Sequence, residues 1–399
     1  MRACDHFIFE LVEIVNEGLG DVMSVEVSPE RAAYFTLGRH HLTKRAPPDR
    51  AVNTVGDILG LNAQGALNYQ LSLWNRVEGL DPSFLPRALL EERSLVRSWF
   101  MRDTVHIIPT ADLPMFRRGL EESLMREWNR WTVRTGRKES PRSWEPLYPR
   151  VLRALDGETL TLNQIVEEVG WEGENPKPNL SRLVREMSLR GLVCHADSSG
   201  PWHHSSEHSF ARVDQWVPVV DMSVASPADT TAELAVRYMG AYGPASAADF
   251  AYWTGGRVTD VKPVIEGVSH LLTEVSIEGQ RGSYYIPSED ESAIEAIRAE
   301  PFTRLLPQFD ALIMGHKDKS RFIDPADRKE IFLPRGDVAA TLMVSGKVRG
   351  TWSMRRGGHG WDLSISPSRP LSADEREMTE AEIDGMREFT GFEISVSWG

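Results

Sequence analysis

Cysteine is scarce in this chain. Only Cys4 and Cys194 occur in 399 residues, far apart in sequence. They offer no disulfide framework and no zinc spacing. Long apolar runs are also missing: none approaches the roughly 18–20 residues needed to cross a bilayer. The opening stretch "MRACDHFIFELVEIVNEGLG" is not a leader of the secretory kind, because its apolar residues recur at helical spacing with acids between them. It predicts an amphipathic helix. The expectation is an intracellular, cytoplasmic protein without a membrane partner. The chain also lacks a Walker A loop, a Rossmann glycine fingerprint, a G-x-S-x-G elbow and an H-E-x-x-H pair. Nucleotide hydrolysis, nicotinamide redox chemistry, ester hydrolysis and zinc proteolysis lose weight accordingly, and no cofactor and no metal is expected.

Positive charge is in deficit overall, with a formal net charge of −13. That balance argues against nucleic-acid binding by the whole surface. The distribution is polarised, however. Arg93, Arg97, Arg102, Arg117, Arg118, Arg126, Arg130, Arg134, Arg137 and Lys138 crowd one segment, while "SADEREMTEAEIDGMREF" near the C-terminus is strongly acidic. A local basic face is therefore compatible with the acidic total, and charge leaves DNA binding open.

At this length two to four domains are expected. One pattern recurs. In residues 147–216, "LYPRVLRALDGE", "TLTLNQIVEEVG" and "NPKPNLSRLVREMSLRGLV" read as three helices. A threonine caps the second, and Pro178 and Gly191 bracket the third. A strand–turn–strand follows, completing a winged helix. Leu180, Leu183, Val184 and Met187 would face its core, and Arg182, Arg185 and Arg190 would stay exposed. Residues 229–288 repeat the plan, with Ser246 and Gly255 bounding the middle helix. Pro263 weakens the third helix, since proline removes a backbone donor. The first 140 residues hold at least five helical patterns, including "PRALLEERSLVRSWFM" ahead of "DTVHIIP". The last hundred residues turn to strands, "EIFLPRG", "VAATLMVSGKVRGTWSMRR" and "GWDLSISPS", with "VSGKV" as a hairpin tip. An acidic helix and the strand "GFEISVSW" close the chain. The fold class is thus α+β, with tandem winged-helix domains and a C-terminal β-rich region. The boundaries fall at 1–145, 146–225, 226–290 and 291–399. Winged helices serve both DNA binding and protein scaffolding.

Few residues stand out as chemistry. His195, His203, His204 and His208 sit in a wing with an "SSG" turn, where spacing of four does not converge on a metal. His106 lies on a short apolar strand, where a satisfied core histidine competes with a catalytic one. Asp310, between two apolar runs, is either paired with an arginine or used. Lys317, Lys319 and Arg321, with Asp318 among them, form a solvated or phosphate-contacting loop. In "LGLNAQGALN", Asn62 and Gln64 stand two apart. As an ordinary feature they would cap a helix. As chemistry, amides can hold a water and can face a developing cation with their carbonyl oxygens. That suits a reaction whose leaving group is already activated, such as a positively charged alkylated purine.

Five stretches carry a family resemblance: "LGLNAQGALNYQLSLWNRV", "LVRSWFMRDTVHIIP", "YMGAYGPASAADFAYWTG", "LLPQFDALIMGHKDKSRF" and "VSGKVRGTW". In order and spacing, from about Asp57 to Trp352, the sequence resembles the winged-helix DNA glycosylases of the AlkZ-like and YcaQ-like superfamily. The resemblance implies three winged helices and a C-terminal β-rich part, C-shaped around a DNA channel. It also implies metal-free, monofunctional excision of cationic or bulky alkylated bases, and in some members unhooking of interstrand crosslinks. The family's Gln-x-Gln or Gln-x-Asp motif falls on Asn62-Ala63-Gln64. Gln64 matches, whereas Asn62 is one methylene short. The expected partner is damaged double-stranded DNA, and the expected state a monomer. Arg102, Arg182, Arg185, Lys317, Lys319, Arg321, Lys347 and Arg349 are the expected DNA contacts, the last two as a hairpin probing the duplex. A regulator or damage sensor without catalysis is the alternative.

Overall fold

A computed structural model describes residues 25–134, 144–170, 176–196, 208–218, 226–358 and 360–399. The expected N-terminal helix, Cys4, Arg137, Lys138, His203 and His204 lie outside the described residues. The molecule is α+β.

The first segment runs β1 (Val25–Val27), α1 (Pro29–Arg39), α2 (Ala51–Asp57), β2 (Leu61–Asn62), α3 (Ala66–Trp74), α4 (Phe84–Leu90), β3 (Leu95–Phe100) and β4 (Thr104–Pro109). Ser28 caps α1 by accepting from the Arg31 amide, and Pro29 occupies the first helical position, where a missing donor costs nothing. The long helix α5 (Leu113–Arg134) follows.

Next come α6 (Tyr148–Ala154), β5 (Leu160–Thr161), α7 (Leu162–Val169), α8 (Pro176–Leu189), β6 (Val193–His195) and β7 (Ser209–Arg212). Thr161 caps α7 in a capping box with Gln164. Leu180, Leu183, Val184 and Met187 are fully buried, as their spacing predicts. The third segment holds α9 (Pro227–Tyr242), α10 (Ala247–Thr254), α11 (Val258–Gly267), β8 (Leu272–Ile277) and β9 (Tyr284–Pro287). Ser246 and Gly255 bound α10 as expected, Gly255 in the left-handed conformation. Helix α11 continues through Pro263.

The C-terminal part comprises β10 (Thr303–Leu306), α12 (Ala311–Gly315), β11 (Ala340–Val344), β12 (Lys347–Gly357), β13 (Gly360–Pro367), α13 (Ala373–Thr390) and β14 (Ile394–Trp398). These strands form one five-stranded sheet in the order β10-β11-β12-β13-β14. The stretch "EIFLPRG" is not a strand. It forms the end of a short helix, Arg328–Ile331, and a helical turn at Pro334–Gly336. Pro334 opens that turn, and Arg335 and Gly336 have positive φ, which a strand does not tolerate.

Two further sheets join distant sequence. One has the order β2-β4-β3-β6-β7-β5, with β3 bridged to β6 at Arg97 and His195. It is continuous across residue 145. The other, β1-β8-β9, ties the first described strand to the third segment. The six-stranded sheet separates two cores. Val96, Phe100 and Ile108 face the one built on α5, α8, α9 and α10. Leu61, Leu95 and Ile107 face the one shared with the C-terminal sheet and α13.

Candidate active site

The amide pair sits at the edge of the six-stranded sheet. Helix α2 ends at Asp57, and the chain reverses through Leu59 and Gly60, both with positive φ. A Cβ on Gly60 would lie 2.9 Å from the Ile108 side chain and 3.0 Å from the Ile107 carbonyl oxygen. Glycine is what lets β2 lie against β4. Leu61 then pairs with Ile107 and Asn62 with His106. The Ala63 amide donates to the Val105 carbonyl at 2.8 Å. That bond makes Asn62 and His106 a non-hydrogen-bonded pair, whose side chains lie closest in an antiparallel ladder, with Cα atoms about 4.5 Å apart. His106 in turn pairs with Ser98 on β3. Asn62, His106 and Ser98 therefore form a polar row on one face of the sheet, among apolar core residues.

Each member of the row is buried. Ser98 Oγ accepts from the Arg117 guanidinium at 2.6 Å. Arg117 also donates to the Trp99 and Leu189 carbonyls, and burial pulls its pKa down to about 9. His106 Nδ1 lies 2.9 Å from the Thr104 carbonyl oxygen. A carbonyl only accepts, so Nδ1 carries the proton and Nε2 the lone pair. Burial first and the Arg102 charge second push the His106 pKa down to about 3, so the ring is neutral. Asn62 Oδ1 is buried without a hydrogen-bond partner among the described residues. Gln64, by contrast, is exposed in the bend between β2 and α3. Neither amide caps α3, whose N-cap Gly65 supplies no side-chain bond.

The β3–β4 turn bounding this row is strained. Arg102 and Asp103 are consecutive non-glycine residues with φ of 54° and 57°. Such conformations persist only where surrounding contacts enforce them. Arg185 on α8 clamps Asp103 with a salt bridge and a further bond to its carbonyl. Arg102 donates to the Trp253 carbonyl at 3.0 Å and lies over the Tyr252 ring.

The expected DNA contacts separate into two groups. Lys317 is exposed, and Arg182 and Arg349 are half-buried. Arg185 is not a free surface cation, because Asp103 holds it. Lys319 and Arg321 are interior, which corrects the reading of a solvated loop. Lys319 Nζ donates to the Ile313 carbonyl and lies over Tyr252 and Phe332, and burial lowers its pKa to about 7. Arg321 donates to the Pro244 carbonyl at 2.6 Å and to Thr36. The "VSGKV" hairpin forms, but its tip is packed inward. A Cβ on Gly346 would meet Leu37 and Tyr34 at 3.3 Å, and Lys347 Nζ donates to the Arg321 carbonyl at 2.7 Å. It cannot probe a duplex in this arrangement. Asp310 is the paired form of the two alternatives: Arg76 grips both its oxygens at 2.7 and 2.8 Å, with both side chains fully buried. His195 is buried beside Trp99, and His208 faces Arg97 at 3.2 Å.

Sequence reasoning read β12 and β13 as strands joined by a glycine turn but did not single out the arginines at that turn. Arg355 and Arg356 stand exposed near the tip formed by β12 and β13. Arg355, Thr351, Ser353, Ser364 and Ser366 line a cleft of about 500 Å³ that is closed on another side by Leu67 and Asn68 of α3. Two arginines directly before a glycine run, "RRGGHG", were the available signal.

Comparisons with known proteins bear on this arrangement. A family model described as "DNA glycosylase AlkZ-like" matches residues 55–389. The chain belongs to the AlkZ-like DNA glycosylase family. It is 25% identical over 335 residues to an interstrand DNA cross-link repair glycosylase of Streptomyces sahachiroi, covering 80% of this chain and 86% of that protein. The solved structure of the S. sahachiroi DNA glycosylase AlkZ is similar in fold, with a TM-score of 0.77 at 21% identity over 94% of this chain and all of the other. The family resemblance read from the five stretches is thereby established, and the matched span includes the amide pair, His106 and the long hairpin.

Proposed function

We propose that this protein is a monofunctional DNA glycosylase that hydrolyses the N-glycosidic bond of cationic or bulky N-alkylated purines, working without metal or cofactor. The observation that carries this reading is the amide pair. Asn62 and Gln64 stand at the family's motif position, one buried with an unsatisfied oxygen and the next exposed beside it. A purine already alkylated on the ring leaves with the bonding electron pair and becomes neutral. The protein then has to hold a water and stabilise positive charge on the sugar. Water oxygen bonds to C1′, the bond from C1′ to the base nitrogen breaks, and the released proton passes to solvent. Amide dipoles suit both tasks.

Two runs of three helices and a strand pair, α6–α8 with β6 and β7 and α9–α11 with β8 and β9, support the reading of tandem winged helices, divided near 145, 225 and 290, with DNA running in a channel between them and the C-terminal sheet. In this reading the protein acts as a cytoplasmic monomer on damaged double-stranded DNA. Lys317, Arg182 and Arg349, together with Arg355 and Arg356, contact phosphates. The relative named for cross-link repair extends the substrate class to interstrand crosslinks at purine nitrogens.

The test is to incubate the protein with duplexes containing 7-methylguanine or a bulky N7-guanine crosslink, and to measure abasic sites. Release by the wild type, lost in Gln64→Ala with DNA affinity retained, is the expected result. Binding at about 50 mM salt without release points to a regulator or damage sensor. No binding at that salt leaves a protein scaffold.

A further inference from the structure

Two hydrogen-bond acceptors belong to directly opposed residues on one face of the β2–β4 ladder. Asn62 Oδ1 is buried and unpartnered among the described residues. The opposing His106 uses Nδ1 on the Thr104 carbonyl, and no protein group among the described residues donates to its Nε2. The ladder register brings both side chains to the same face at the closest spacing an antiparallel pair offers. A buried acceptor left unsatisfied, as Asn62 Oδ1 is, is costly, and an apolar side chain there would avoid that cost. The arrangement instead asks for a small molecule with two donors. Water is that molecule: with both O–H groups given to Asn62 and His106, it keeps a lone pair to direct elsewhere.

We propose that His106 is a catalytic residue of this site, its Nε2 accepting a hydrogen bond from the hydrolytic water alongside the Asn62 amide. The inference rests on the glycosylase reading and deepens it. The ring is well suited to the task. The Thr104 carbonyl fixes its tautomer, and Ser98 on its other flank accepts from Arg117. The groups around it are Arg102 from the turn, Ser98 with Arg117 behind it, and Asn62; no carboxylate is among the causes that set its charge state. It stays neutral and accepts. In the step itself the water oxygen bonds to C1′, the glycosidic bond breaks with its electron pair going to the base, and the water proton is released to solvent, while neutral His106 orients the water by accepting its hydrogen bond. Asn62 is one methylene shorter than the family's glutamine, so a second acceptor fixing the water is where this chain makes up the lost reach.

Two substitutions separate this role from a structural one. Asparagine places an amide near the position of Nδ1, and glutamine near that of Nε2. His106→Asn keeps a donor for the Thr104 carbonyl and loses the acceptor, whereas His106→Gln does the reverse. With wild type, Gln64→Ala and both variants assayed for 7-methylguanine release, His106→Asn is expected to lose roughly 100-fold or more in kcat with its melting temperature and DNA affinity held. His106→Gln is expected to retain most of the wild-type rate. The opposite ranking, or full activity in His106→Asn, overturns the proposal while leaving the glycosylase reading intact. Absence of release by the wild type overturns both. A measurement free of folding concerns is the ¹⁵N signal of His106 in the wild type. Its Nε2 should appear as an unprotonated acceptor near neutral pH and shift when a duplex carrying a cationic pyrrolidine in place of the lesion sugar is added. A protonated Nε2, or no shift on binding, counts against the role.

Discussion

At Asn62 the chain leaves its family's pattern, and the consequence is a matter of about one bond length. Displacements of about 1 Å can cost on the order of 100-fold in rate. Asn62→Gln is accordingly expected to speed base release by roughly tenfold, read as single-turnover rate. A slower variant would mean that the row Asn62–His106–Ser98 has adapted to the shorter amide. A second residue-scale prediction concerns stability. Asp310→Ala leaves Arg76 fully buried with no counter-charge. The expected loss is about 3–5 kcal/mol, measured by urea unfolding. The sequence could identify Asp310 as a residue needing a partner, because a carboxylate between apolar runs cannot stay unpaired. It could not name Arg76, more than two hundred residues away in sequence. The DNA-contact expectations divide for the same reason. Lys319 and Arg321 read as a basic loop, yet burial is decided by tertiary packing that no local pattern encodes.

Helix caps and core faces were legible because they are local: Ser246, Gly255 and the buried stripe of α8 all follow from spacing. Hairpins were legible as hairpins but not in their direction. The Ser345–Gly346 turn fits its sequence, with positive φ at both residues, and nothing in "VSGKV" says that the tip meets Tyr34 and Leu37. The hairpin that reaches solvent is the next one. Replacing Arg355 and Arg356 together by alanine is expected to weaken binding uniformly across DNA sequences. The slope of log affinity against log salt should fall by about one for each phosphate left without its arginine. An unchanged slope would remove this hairpin from the DNA interface. The close fit of β2 on β4 supplies another element-scale prediction. Gly60→Val drives a side chain into Ile108 and the Ile107 carbonyl at a positive φ. The variant is expected to lose base release together with several degrees of Tm, since the strand carrying Asn62 must shift.

Across the whole molecule, the buried histidines His40, His106 and His316 are held neutral. His40 lies well below its ordinary pKa, and His106 and His316 are pushed down to about 3, burial being the first cause in each. The unfolded chain takes up protons near pH 6.5 while the folded one does not. Stability is therefore present above that value and is lost as pH falls toward 3. Lys319 acts in the same direction over a higher window, between its ordinary value of 10.5 and about 7. The urea midpoint should fall between pH 7.5 and pH 5.5, above the range of most carboxylates, and His316→Gln should flatten part of that fall. Equal midpoints in the wild type would contradict the burial of these rings. The parallel pairing of Val25, Glu26 and Val27 with Val275, Ser276 and Ile277 has its own result during synthesis. A ribosome adding roughly 5–20 residues per second needs about 12–50 s to go from one strand to the other. Until then β1 lacks this partner strand, and helix α1 waits with it. The nascent chain must keep its first described strand without this partner through most of its own translation, so a stall before residue 277 strands an edge that other chains can find.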